Sequence, residues 1–278
     1  MAKSDLLKRT VFGILFGAVV IVSLVFLPSI LPYMMLLTIY MELREFYNIS
    51  IGREYPVQQA FAVGTAAVLF ATAFLTEAYG TDSRYVLFSL IPFIALLISI
   101  IFRKDRSDLE KYAFIFTGLV YVSLPAYLLP KLLFRSGIYD GMLALSVIIV
   151  IWFSDIFAYA LGTAFGQKEN SRKLAPTISP KKSWIGFWSG VISGGVAAII
   201  LYYIGWLQLP FAHCVSLGLI ISAAGVCGDL FESVWKRYFG VKDSGNIIPG
   251  HGGFLDRFDS SIFAIPAVVV YLALFNLL

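Results

Sequence analysis

Long apolar runs, broken at short intervals by charged segments and by prolines and glycines, fill the chain from one end to the other. A helix needs about 20 apolar residues to cross the hydrocarbon of a bilayer. Runs of that order occupy residues 11–27, 30–47, 58–78, 85–102, 112–130, 141–163, 184–204, 213–236 and 260–277. The pattern therefore predicts an all-α polytopic integral membrane protein of about nine transmembrane helices. Pro28, Pro32, Pro210 and the glycine-rich stretch after residue 239 act as helix stops. Residues 1–278 read as a single transmembrane domain, with the polar chemistry gathered in roughly 150–260.

Composition sharpens this picture. The chain is 59% hydrophobic and only 14% charged, against about 25% charged in a soluble domain. The net charge of +4 does not signal nucleic acid, because the basic residues are one-sided along the predicted spans. Only Arg84, Lys131 and Arg135 fall opposite the rest, which predicts a cytoplasmic amino terminus and an outside carboxyl terminus. Lys3, Lys8 and Arg9 precede an apolar run without a small-residue cleavage site, so that run reads as an uncleaved first span. Cys214 and Cys227 lie thirteen apart on one predicted helix and read as buried structural thiols. Glu42, Arg44 and Glu45, at the end of the second run, read as interfacial anchors.

One polar stretch breaks the apolar pattern, from Asp229 to Asp259. A charge in hydrocarbon costs roughly 2.5–3.5 kcal/mol on insertion scales, so a cluster there needs partners or a function. Asp229, Glu232, Ser233 and Lys236 recur at helical spacing and share one face. Beyond them Gly240, Gly245, Gly250, Gly252 and Gly253 form a loop whose amides suit phosphate, and Asp256, Arg257 and Asp259 open the last apolar run. Carboxylates alone would suggest cation transport, and cations alone would suggest lipid binding. The mixture with Lys236, Arg237, Lys242 and Arg257 suggests phosphate oxygens bridged to protein by a divalent metal. Upstream, Asp155 sits inside an apolar run, either as a hydrogen-bonded structural group or as part of the same cavity. Lys181 and Lys182, beside Pro180, either attract anionic lipid head groups or neutralise a substrate phosphate. His251 is either a turn residue or an acid, base or phosphate donor.

At these residues the chain resembles the CDP-diacylglycerol synthases, or phosphatidate cytidylyltransferases. The matching positions are Ser233, Lys236-Arg237, Lys242-Asp243, His251-Gly252-Gly253 and Asp256-Arg257-Phe258-Asp259, within about 27 residues. Upstream, Asp155, Ala158-Tyr159, Gly162, Phe165-Gly166, Leu174-Ala175-Pro176 and Ser179-Pro180-Lys181-Lys182 also look like the family. Trp235 and Ile185 depart from it, at positions usually aliphatic and often glutamate respectively. The resemblance implies condensation of CTP with phosphatidic acid to give CDP-diacylglycerol and pyrophosphate. It implies Mg²⁺, held by Asp229 and Asp256, and leaves open a second cation such as K⁺. Lys236, Arg237, Lys242 and Arg257 would then act on the leaving pyrophosphate, with Ser233, Gly252 and Gly253 as donors. Lys181, Lys182, Asp155, His251 and Asp259 would complete the substrate site. A homodimer in a bacterial cytoplasmic (inner) membrane, active on the cytoplasmic side, is the implied setting. Two other classes stay open: a transporter, and a CTP-dependent lipid or polyprenol kinase.

Overall fold

The computed structural model describes residues 3–102, 109–168, 171–247 and 252–278, without the side chains of residues 3–10 and Ser136. Among the described residues lie nine α-helices: α1 (Lys3–Val25), α2 (Leu31–Ser50), α3 (Pro56–Tyr79), α4 (Leu90–Ile101), α5 (Leu109–Leu133), α6 (Gly141–Phe165), α7 (Trp184–Tyr203), α8 (Phe211–Tyr238) and α9 (Leu255–Leu274). Their positions follow the apolar runs read from the sequence. Seven segments are long and apolar enough to cross a membrane, namely α3, the 3-10 turn at Ser83–Ser89 continued by α4, and α5 to α9. The charged starts or ends of α1 and α2 set those two apart from the others: α1 has only Val11–Val25 as an apolar stretch, and α2 carries Glu42, Arg44 and Glu45.

Local chemistry sets the helix ends. Pro56 opens α3 in the first turn, where its missing N–H costs nothing, and Gly80 closes it in the left-handed region at φ +66°. The Asp140 carboxylate caps α6 by accepting from the Leu143 amide at 3.0 Å, and the Ser183 hydroxyl caps α7 by accepting from the Gly186 amide at 3.2 Å. One element was not foreseen. Between α6 and α7 the chain forms an antiparallel two-stranded ribbon, β1 (Lys173–Ala175) and β2 (Ser179–Ser183), with Lys173 opposite Ser183 and Ala175 opposite Ser179.

The chain divides into two compact units, with the division after Arg257 falling inside α9. The first takes residues 1–139 and 243–257. In it α3 packs on α2, α4 and α5, around buried Phe46, Tyr47, Phe70 and Ile115. The Tyr47 hydroxyl donates to the Ile115 carbonyl at 2.9 Å, tying α2 to α5.

The second unit takes residues 140–242 and 258–278. There α7 packs between α6 and α8 through small residues. A Cβ on Gly190 would lie 3.1 Å from Ala158 Cβ, and one on Gly218 would lie 2.7 Å from Ala198 Cβ and 2.5 Å from the Gly194 carbonyl. Small-residue contacts of this kind let membrane helices approach closely where no hydrophobic force drives them together. Of the two cysteines expected to be buried, Cys214 is buried, but Cys227 is exposed.

Candidate active site

In the second unit, α8 carries the polar stripe that its spacing predicted. Asp229 and Ser233, one turn apart, are joined by the Ser233 hydroxyl donating to Asp229 Oδ1 at 3.3 Å. Glu232 and Lys236, again one turn apart, form an ion pair at 3.0 Å in which the Glu232 side chain is 1% exposed. Burial at that level would be costly without a partner, which the Lys236 ammonium supplies, and Asp259 of α9 lies close to Glu232. Asp259 also accepts from the Ser260 amide at 2.6 Å, and Asp229 and Lys236 both lie near enough to act on it electrostatically. Close backbone approach brings these groups together: a Cβ on Gly228 of α8 would run into the Asp259 carbonyl.

The ribbon supplies a second cation. Lys182 of β2 pairs with Asp229 Oδ2 at 2.5 Å, and the two side chains are 26% and 37% exposed. The ribbon is held from behind. Gln167 donates to the Lys181 carbonyl at 2.7 Å, and Lys173 donates to the Gly166 carbonyl at 3.1 Å and to Gln167 Oε1 at 2.7 Å. Gly166 admits the Ser183 side chain where any Cβ would collide with it. Lys181 itself is exposed, as are Asp155 on α6, Arg237 and Lys242. Arg237 donates to the Val241 carbonyl at 2.9 Å, which folds the chain back after α8.

In the first unit, Asp256 is held by backbone. Its Oδ2 accepts from the Ser244 and Gly253 amides, each at 2.8 Å. The Gly253 amide, expected from the sequence to face phosphate, is thus engaged with Asp256. Gly252 takes φ +80°, and a Cβ there would lie 2.5 Å from Asp256 Oδ2, so glycine is required both by conformation and by space. Arg257 is exposed. His251 lies outside the described residues.

Two residues escaped the sequence reading. Glu45, read as an interfacial anchor, is 3% exposed. Its carboxylate accepts from the Phe254 amide at 2.9 Å, the Leu255 amide at 2.8 Å and the Ser244 hydroxyl at 2.9 Å. Glu42 is buried as well, at 5% exposed. The available signal was a pair of carboxylates in the last turns of an apolar run, weaker than the one that singled out Asp155.

Among the described residues no three His, Cys, Asp or Glu side chains form a ready-made metal cage. Mg²⁺ rarely uses one: it takes one or two carboxylates and completes its shell with phosphates and water. The half-exposed Asp229 and the backbone-oriented Asp256 are hard oxygen donors of the kind that suits it.

Helices long and apolar enough to cross a bilayer, together with paired acidic and basic groups on α8 and its neighbours, mark an integral membrane protein with a charged cluster among its helices. The chain belongs to the cytidylyltransferase family, whose sequence profile matches residues 7–275. It is similar to the phosphatidate cytidylyltransferase of Staphylococcus haemolyticus, 32% identical over 91% of this chain and 96% of the relative. The Bacillus subtilis protein of the same name is 45% identical over 128 residues, about half the length of each chain (46% of either). That of Rickettsia bellii is 38% identical over 55% of this chain and 66% of the relative.

Proposed function

We propose that this chain is a phosphatidate cytidylyltransferase of phospholipid biosynthesis and that the charged groups on α8, α9 and β2 are its reaction centre. The chain condenses CTP with phosphatidic acid: a lipid phosphate oxygen attacks the α-phosphorus of CTP, a new P–O–P link forms, and the bond to pyrophosphate breaks. CDP-diacylglycerol and pyrophosphate leave. The observation that carries this reading is the Asp229–Ser233 pair on an apolar helix met by Lys182 of the ribbon, in a chain matched to the family over nearly its whole length.

Two polyanions must meet, so the barrier is mainly charge repulsion and positioning. Asp229 and Asp256 are the carboxylates proposed to hold Mg²⁺, with a second cation such as K⁺ beside it. When bound, the metal would offset charge on the nucleotide phosphates. Lys182, paired with Asp229, is placed to turn its ammonium to an incoming phosphate, with Lys181 next to it. Lys236, Arg237, Lys242 and Arg257 offset charge gathering on the leaving pyrophosphate. Ser233 and Gly252 donate to phosphate oxygens, and Asp259, which lies beside Glu232 and Lys236, completes the substrate-binding set with Asp155 and His251. A phosphate monoester is nucleophilic enough near neutral pH that no general base is needed.

The setting proposed is a homodimer in the bacterial cytoplasmic membrane, with nine spans, a cytoplasmic amino terminus and a site open to cytoplasmic CTP. The charge asymmetry of the loops supports the orientation. The test is direct. Purified protein in lipid vesicles is given labelled CTP and phosphatidic acid, with and without Mg²⁺. Label should enter CDP-lipid only with the metal, and Asp229→Asn should lower the rate by at least about a hundredfold. A phosphorylated alcohol in place of CDP-lipid, or full activity in Asp229→Asn, overturns the assignment.

A further inference from the structure

The first unit holds a buried acid that the reaction as described does not use. Glu45 lies on α2, about 200 residues from the loop it grips (sequence separations 199, 209 and 210). Each of its carboxylate oxygens is engaged: Oε1 by the Phe254 amide, and Oε2 by the Leu255 amide and the Ser244 hydroxyl. Ser244 relays the grip to Asp256. Its hydroxyl oxygen accepts from the Asp256 amide at 3.3 Å and its own amide donates to Asp256 Oδ2 at 2.8 Å. The glycines of the loop make room for this arrangement. A Cβ on Gly245 would lie 2.6 Å from Glu45 Oε1, and one on Gly253 would collide with both Glu45 Oε2 and the Ser244 hydroxyl.

We propose that Glu45 is a positioning residue for the reaction, whose buried carboxylate clasps Ser244, Phe254 and Leu255 and so fixes where the Asp256 carboxylate is presented. This rests on the reading above that Asp256 takes part in the reaction. A carboxylate suits the task because it accepts three hydrogen bonds with no donor of its own to repel them. Neutral Gln keeps the shape but turns an NH₂ toward an N–H or O–H donor, so it cannot hold all three. On this view glycine at 253 is required by a side chain from a distant helix, in addition to any role toward phosphate.

The experiment uses full-length Glu45→Gln, Ser244→Ala and Asp256→Asn proteins reconstituted in phosphatidic acid vesicles. Turnover is measured together with backbone hydrogen exchange. In Glu45→Gln the amides of Phe254, Leu255 and Asp256 should exchange at least about tenfold faster while those of α3 and α5 keep their protection. In the same protein kcat should fall on the order of tenfold to a hundredfold, with KM for CTP within about threefold of the parent. Ser244→Ala should move both readouts the same way, and it decides the matter if Glu45→Gln does not fold. Loosened amides with unchanged kcat overturn the proposal, as does equal loss of protection throughout α2, α3 and α5, which would make Glu45 a general stability element. Full activity in Asp256→Asn would instead overturn the underlying assignment of Asp256.

Discussion

Lys182 reaches Asp229 from a ribbon rather than from the helix that carries Asp229, and this determines what its loss should do. Lys182→Met keeps the apolar stem and removes the ammonium, leaving Asp229 with the weak Ser233 bond at 3.3 Å. The pair is about a third exposed, so solvent screens it and folding should barely suffer. Catalysis should suffer more: kcat/KM for CTP is expected to drop about 10–100-fold, checked by steady-state kinetics alongside a melting curve that stays near the parent. The spacing of Asp229, Glu232, Ser233 and Lys236 was legible in the sequence because it obeys the helical repeat. Glu45 was not, because nothing local in the sequence around it indicates that its partners lie some 200 residues away. Its three bonds, each worth about 1.5–3 kcal/mol when the acceptor is charged, belong to the tertiary fold.

At the scale of elements, α8 works with two faces. One bears the charged stripe, and the other must be nearly smooth so that α7 can lie against it. Gly218→Val tests the smooth face. Its branched side chain would press on the Gly194 carbonyl and on Ala198 Cβ, at 2.5 and 2.7 Å from the first added carbon. The expected loss is about 1–3 kcal/mol, read as a lower midpoint for thermal inactivation in detergent micelles; an unchanged midpoint would mean that α7 can yield. Helices were the easy part of the reading, since twenty apolar residues in a row can do little else in lipid. The ribbon was missed for the opposite reason. Strands of three and five residues, one of them containing Ser-Pro-Lys-Lys, have no apolar alternation to betray them. They exist because Gln167, Lys173 and Arg172 tie that loop's backbone down, the last by its carbonyl accepting from the Trp184 amide at 3.1 Å.

For the molecule as a whole, hydropathy carried the class and the resemblance carried the chemistry. All nine apolar runs became helices among the described residues, yet seven segments satisfy the length and polarity of a membrane crossing. The difference lies in α1 and α2, and α2 carries charged residues, one of which, Glu45, is buried inside the protein and accepts from backbone amides. The two-stranded ribbon carries a consequence of its own. An open-edged strand pair leaves peptide groups facing outward, and hydrocarbon offers them nothing, so Lys173–Ser183 marks a level that water reaches. A spin label at exposed Thr177, in the turn between the strands, should collide freely with an aqueous nickel chelate and poorly with oxygen dissolved in the membrane. Such a reading would give the altitude of the waterline beside Lys182, and with it the height from which a soluble nucleotide must descend.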